Sequence, residues 1–120
     1  MYTDRLLDHF QNPRNLGELG PPAVTVDASN PACGDLMRLS VEFENGVAKQ
    51  ARYKVKGCTA SIAAGSALTG WLAGKTLAEA AAIRPADVEE ELGGLGAESK
   101  HAAVLCVDAV RALLRSLQSK

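Results

Sequence analysis

Between residues 36 and 56 the chain alternates apolar and polar positions with a period of two. Leu36, Met37, Leu39, Val41 and Phe43 are interleaved with Arg38, Ser40 and Glu42. The return run sets Val47, Ala51, Tyr53 and Val55 against Gln50, Arg52, Lys54 and Lys56. This is the pattern of two half-buried strands, about 36–44 and 47–56. Glu44-Asn45-Gly46 joins them. A two-residue Asn-Gly turn would pair Phe43 with Ala48 and set the apolar face of one strand against the polar face of the other. A three-residue loop with Gly46 in the left-handed region pairs Phe43 with Val47, Leu39 with Ala51 and Met37 with Tyr53, and keeps the apolar residues together. The second register is the expected one. At the open end it sets Asp35 opposite Val55 and Cys33 opposite Gly57, so that Cys58 becomes a neighbour of Cys33.

The flanks complete the layout. A strand is predicted at about 23–28, broken by Asn30-Pro31. Residues 3–10 read as a helix with Thr3 as N-cap and Leu6, Leu7 and Phe10 on one side. After Cys58 the pattern changes to an Ala-, Ser- and Gly-rich helix over 60–72. Gly65 and Gly70 argue against it, each costing a helix up to about 1 kcal/mol relative to Ala. Thr76-Leu77-Ala78-Glu79 has capping-box spacing and opens a helix over 77–83. Pro85 suits the first turn of another, 86–92, closed by Gly93-Gly94. The last helix is predicted over 100–118. Three antiparallel strands, one helix before them and several after, make a single α+β domain spanning 1–120.

Composition narrows the function classes. The chain has 120 residues, 47% hydrophobic, 22% charged, with net charge −1. There is no broad basic field for nucleic acid or an anionic membrane, and few aromatics for stacking bases. No apolar run approaches the roughly 20 residues of a membrane span. Residues 1–10 carry charges throughout and lack the core of a secretory signal. Three cysteines, an odd number, fit a reducing cytosol better than a disulfide framework, so a cytoplasmic location is expected.

The chemistry gathers where the hairpin ends meet. Cys33 and Asp35 lie in a Gly-containing loop, and Cys58 precedes a helix start whose unpaired N–H groups favour a nearby anion. Thiolate is the form that binds soft metals and attacks sulfur. The plain alternative is two small, inert core cysteines. His101, at the start of the last helix, would complete a set of Cys33, Asp35, Cys58 and His101 acceptable to Zn²⁺ or an iron–sulfur cluster. It reads equally as a solvated helix-start residue. His9 reads as surface. Cys106 falls on the apolar stripe of Ala102, Val110, Leu113 and Leu117, about 140° round the helix from His101, and reads as core.

Tyr2 through Leu16, Asn30-Pro31-Ala32-Cys33-Gly34-Asp35, Gly57-Cys58-Thr59-Ala60-Ser61 and His101 through Val110 together resemble the IscU/NifU N-terminal family of iron–sulfur cluster scaffold proteins. The resemblance implies a three-stranded sheet packed by helices, with a cluster or a substituting Zn²⁺ at the exposed end. It implies a labile [2Fe–2S] cluster on Cys33, Asp35, Cys58 and His101, and partners comprising a cysteine desulfurase, an iron donor and apo iron–sulfur proteins. Two departures stand out. The family's third cysteine, directly after the histidine, is replaced by Ala102. Residues 93–100 also lack the Leu-Pro-Pro-Val-Lys sequence offered to an Hsp70-type chaperone, so that docking is unsupported.

The first expectation is a scaffold or carrier rather than an enzyme, because no nucleophile–base pair or phosphate loop accompanies the site. Two alternatives remain open. One is a Zn²⁺-dependent sulfurtransferase partner of a desulfurase. The other is a metal-stabilised interaction protein that no longer assembles clusters.

Overall fold

The computed structural model describes residues 2–30 and 34–118. Three strands, β1 (Val24–Asn30), β2 (Asp35–Glu44) and β3 (Val47–Lys56), form an antiparallel sheet in the order β1-β2-β3. Before it comes α1 (Asp4–Gln11), and after it α2 (Thr59–Leu72), α3 (Leu77–Ala81), α4 (Pro85–Glu91) and α5 (Lys100–Gln118). A single 3₁₀ turn, Ala97–Ser99, leads into α5. The architecture is the expected α+β arrangement, with helix ends within about two residues of those predicted. No helix among the described residues is long and apolar enough to cross a membrane.

The hairpin register differs from expectation, and the difference positions the site. The turn is the two-residue Asn45-Gly46 type, with φ of 55° and 77°, the combination a type I′ turn requires. It pairs Glu44 with Val47 and Phe43 with Ala48. Left uncorrected, that register would put polar against apolar faces. A bulge between Glu42 and Phe43 corrects it: Glu42 pairs with Gln50, leaving Lys49 as the extra residue. From there Val41 pairs with Ala51, Leu39 with Tyr53 and Met37 with Val55. The inner face is the one the alternation predicts, but the strands are offset by two residues. The last pair is Leu36 with Lys56, so Asp35 comes level with Gly57 rather than Val55. Cys33, expected opposite Gly57, lies outside the described residues.

One face of the sheet carries the core. Met37, Leu39, Val41 and Tyr53 are buried against α5, which crosses β1 and β2, and against α2, which lies along β3. The outer face is polar, with Arg38 forked onto Asp27 at 2.8 and 3.1 Å. Helix α2 is buried on several sides at once, between the sheet, α1, α4 and α5, which is why it is apolar all round rather than striped. Its glycine at 65 has a packing reason. A Cβ there would stand 2.3 Å from the Tyr53 ring, so only glycine lets helix and strand approach this closely. The buried Tyr53 hydroxyl donates to the Ile62 carbonyl at 2.8 Å, giving its polar end a partner.

Capping follows the predicted chemistry. Thr3 accepts the Leu6 N–H at 3.0 Å and donates to the Leu92 carbonyl, while Arg5 donates to the Glu90 carbonyl at 3.1 Å. Thr76 and Glu79 form the reciprocal box at 3.1 and 2.9 Å. Residues 15–17 bridge onto the free edge of β3. The Tyr53 N–H donates to the Asn15 carbonyl at 3.0 Å, and the Gly17 N–H donates to the Tyr53 carbonyl at 2.9 Å.

The two α2 glycines make opposite predictions. Gly65→Ala should lose about 1–3 kcal/mol of unfolding free energy by overpacking, although helix propensity alone would favour it by about 1 kcal/mol. Gly70, with nothing within 4 Å of its Cβ position, should gain about 0.5–1 kcal/mol on conversion to Ala. Urea unfolding of both variants checks the pair; a change of the same sign in each contradicts the packing account.

Candidate metal centre

Three elements end at one corner of the sheet. Asp35 opens β2 and is buried, 4% exposed. Cys58 is the N-cap of α2, with extended backbone (φ −83°, ψ 171°) and no capping bond from its side chain, so its sulfur is free to turn toward β2. As a residue Cys58 is exposed, and its thiol is free. His101 is the second residue of α5, its side chain 23% exposed. The shifted register is what brings Asp35 beside Gly57 and Cys58. A Cβ on Gly57 would lie 2.7 Å from both Cγ and Oδ1 of Asp35, so the carboxylate rests on a residue that has no side chain to obstruct it.

Asp35, Cys58 and His101 form a group able to hold a metal ion. Cys58 Sγ is 3.7 Å from Asp35 Oδ2 and 3.7 Å from His101 Nε2, and His101 Nε2 is 3.4 Å from Asp35 Oδ2. Bond lengths of about 2.3 Å to sulfur and 2.0–2.2 Å to nitrogen and oxygen, at tetrahedral angles, give edges of about 3.6, 3.6 and 3.4 Å. The three atoms are therefore spaced as one triangular face of a tetrahedron around a single ion. Soft thiolate, borderline imidazole and hard carboxylate together suit Zn²⁺ or iron.

The structure brings Asp35, Cys58 and His101 together; Cys33, the fourth residue expected here, lies outside the described residues. Cys106 is fully buried deeper on α5, where burial pushes its thiol pKa well up; it is core, as its place on the apolar stripe predicts. Ala102 is fully buried too.

Two residues were not foreseen. Ser61, in the first turn of α2, is fully buried, donates to Asp35 Oδ2 and lies 3.4 Å from Cys58 Sγ. Its sequence signal is only a hydroxyl three residues after a helix-capping cysteine. His9 is not plain surface. Its Nδ1 is 2.7 Å from the hydroxyl of buried Ser66, which also accepts the Arg14 N–H at 2.9 Å. This contact ties α1 to α2.

A small α+β domain with a carboxylate, a thiol and an imidazole converging at the end of a three-stranded meander defines a class of metal-site domain. The family model for the NifU-like N terminal domain matches residues 1–120, and the chain belongs to that family. It is 40% identical over 123 residues to the iron-sulfur cluster assembly scaffold protein IscU of Azotobacter vinelandii, covering 99% of this chain and 95% of that protein. The protein of the same name from Escherichia coli K12 is 37% identical over 123 residues, at 99% and 95% coverage. Among solved structures, the N-terminal NifU-like protein from Brucella abortus superposes with a TM-score of 0.78 over 98% of this chain and 94% of that one. At 21% identity it bears on the fold alone.

Burial, and next the nearby Arg14 charge, lower the His9 pKa below the ordinary 6.5. The unfolded chain therefore takes up this proton at a higher pH than the folded one. The associated stability is complete above the ordinary value and is lost as pH falls through the folded pKa. Thermal unfolding midpoints should drop as pH falls below about 7, and His9→Gln should flatten that slope. An unchanged slope in the variant contradicts the assignment.

Proposed function

We propose that this protein is an iron–sulfur cluster assembly scaffold, holding a labile [2Fe–2S] cluster as cargo on Asp35, Cys58 and His101 with Cys33 as the fourth ligand. Zn²⁺ would occupy the same position when iron and sulfide are absent. The observation that carries the reading is the convergence of three ligand types, from three separate elements, at tetrahedral edge lengths. Family membership supports it, as do the names of relatives that match nearly end to end. In this role the chain receives sulfur from a cysteine desulfurase and iron from a donor, and passes the product to apo iron–sulfur proteins.

The arrangement suits a transient cargo. Asp35 is buried and held, whereas Cys58 is an exposed residue at a helix cap, so a bound group would be fixed on one side and reachable on the other. A two-iron cluster spreads four protein ligands over two metals. The present triangle is spaced for one ion, so cluster assembly requires these side chains to move apart. Cys58 sits on a helix cap and His101 in a first turn, both at element ends, where that adjustment distorts least structure.

Anaerobic reconstitution with ferrous iron and sulfide tests the reading. Wild type should develop a defined visible chromophore, and Cys58→Ala and His101→Ala should each abolish it, a loss beyond the roughly 10–100-fold that removal of an outer-shell partner costs. Zinc binding with no chromophore from wild type overturns the scaffold reading in favour of a metal-stabilised interaction protein.

A further inference from the structure

A carboxylate removed from water needs hydrogen-bond donors. Among the described residues, three side chains meet Asp35 Oδ2: the Ser61 hydroxyl, which donates to it, Cys58 Sγ at 3.7 Å and His101 Nε2 at 3.4 Å. Loading an ion removes two of these as donors. Cys58 ligates as thiolate, its proton passing to solvent, and His101 ligates through the lone pair of Nε2. Of the three, only Ser61 keeps its hydrogen for Asp35 when the site is filled.

The placement of Ser61 fits that task. It lies one turn along α2 from Cys58 and is 0% exposed, so water does not compete for its hydroxyl. Its single hydrogen is committed to Asp35, and what it turns toward Cys58 Sγ, 3.4 Å away, is a lone pair. The carboxylate also rests against Gly57, where any Cβ would stand 2.7 Å from Cγ. A bare backbone and the Ser61 hydroxyl thus both bear on Asp35. Because each carboxylate oxygen has two lone-pair directions, Ser61 takes one at Oδ2 and leaves the other for the ion.

We propose that Ser61 is a positioning residue, acting through Asp35 to hold its carboxylate in the orientation that binds metal. The inference rests on the reading that Asp35, Cys58 and His101 hold the ion. Ser61 touches no cargo itself. It sets the direction of a ligand, as outer-shell partners of metal ligands commonly do, at a cost of about 10–100-fold in affinity when removed.

Co²⁺ titration of the full chain under anaerobic conditions tests this, since its ligand-field and thiolate charge-transfer bands report affinity and geometry together. Four proteins are compared: wild type, Ser61→Ala, Asp35→Ala and the double variant, each checked for folding by circular dichroism without metal. Ser61→Ala should weaken Co²⁺ binding by about 10–100-fold and alter the ligand-field bands. The same substitution should add no further loss in the Asp35→Ala background, because the group it positions is gone. Equal losses in both backgrounds overturn the proposal, as does wild-type affinity in Ser61→Ala beside a weakened Asp35→Ala. Wild-type affinity in Asp35→Ala overturns the ligand assignment itself, and the positioning role with it.

Discussion

The contact between the Tyr53 ring and the bare backbone of Gly65 determines where everything else in this molecule can lie. It lets α2 settle on β3 closer than any residue with a Cβ would permit, and the Tyr53 hydroxyl bonded to the Ile62 carbonyl fixes the helix along its length. Side-chain interiors are close-packed, so such an approach leaves little freedom to slide or tilt. Ile62 directly follows Ser61 and lies one turn beyond Cys58. The seating of the helix therefore carries directly into the placement of the thiol over the first residue of β2.

The centre that results combines rigid and yielding parts. Asp35 is buried and meets both the bare backbone of Gly57 and the Ser61 hydroxyl. Cys58 and His101 come from helix ends that meet there, and both are more open to solvent. The β-bulge at Lys49 belongs to the same design, although it sits at the far end of the hairpin. Without it the two-residue turn would set Asp35 opposite Lys56, and its one-residue shift brings Asp35 level with Gly57 instead. A side chain beside the carboxylate would crowd the position that glycine leaves open.

Much of this was legible in the chain. Period-two alternation located both hairpin strands, and capping patterns at Thr3, Thr76 and Pro85 located helix starts. The Gly-Cys step before an Ala-rich segment marked the thiol, and His101 was found as a histidine opening a helix. The register was not legible, because Asn-Gly turn chemistry and facial matching conflict by one residue. A bulge resolves that conflict, yet Ala48-Lys49-Gln50 carries no mark of where it falls. His9 was misjudged because its partner, Ser66, is 57 residues away and only tertiary packing joins them. Gly65 counted against a helix on propensity, whereas in the fold it is the residue that allows the helix to dock.

The N-terminal segment carries a consequence for how the chain is made. Thr3 and Arg5 reach the carbonyls of Leu92 and Glu90, His9 reaches Ser66, and Asn15 and Gly17 pair with Tyr53. Each of these partners is translated long after the residue that needs it. At about 5–20 residues per second, roughly 5–20 s separate the two ends of the Thr3–Leu92 contact. Until α2 (Thr59–Leu72) has been made, the apolar side of α1, with Leu6 and Phe10, lacks the helix it packs against. Closure of the domain must therefore be a late event in synthesis, completed only after α4 has left the ribosome.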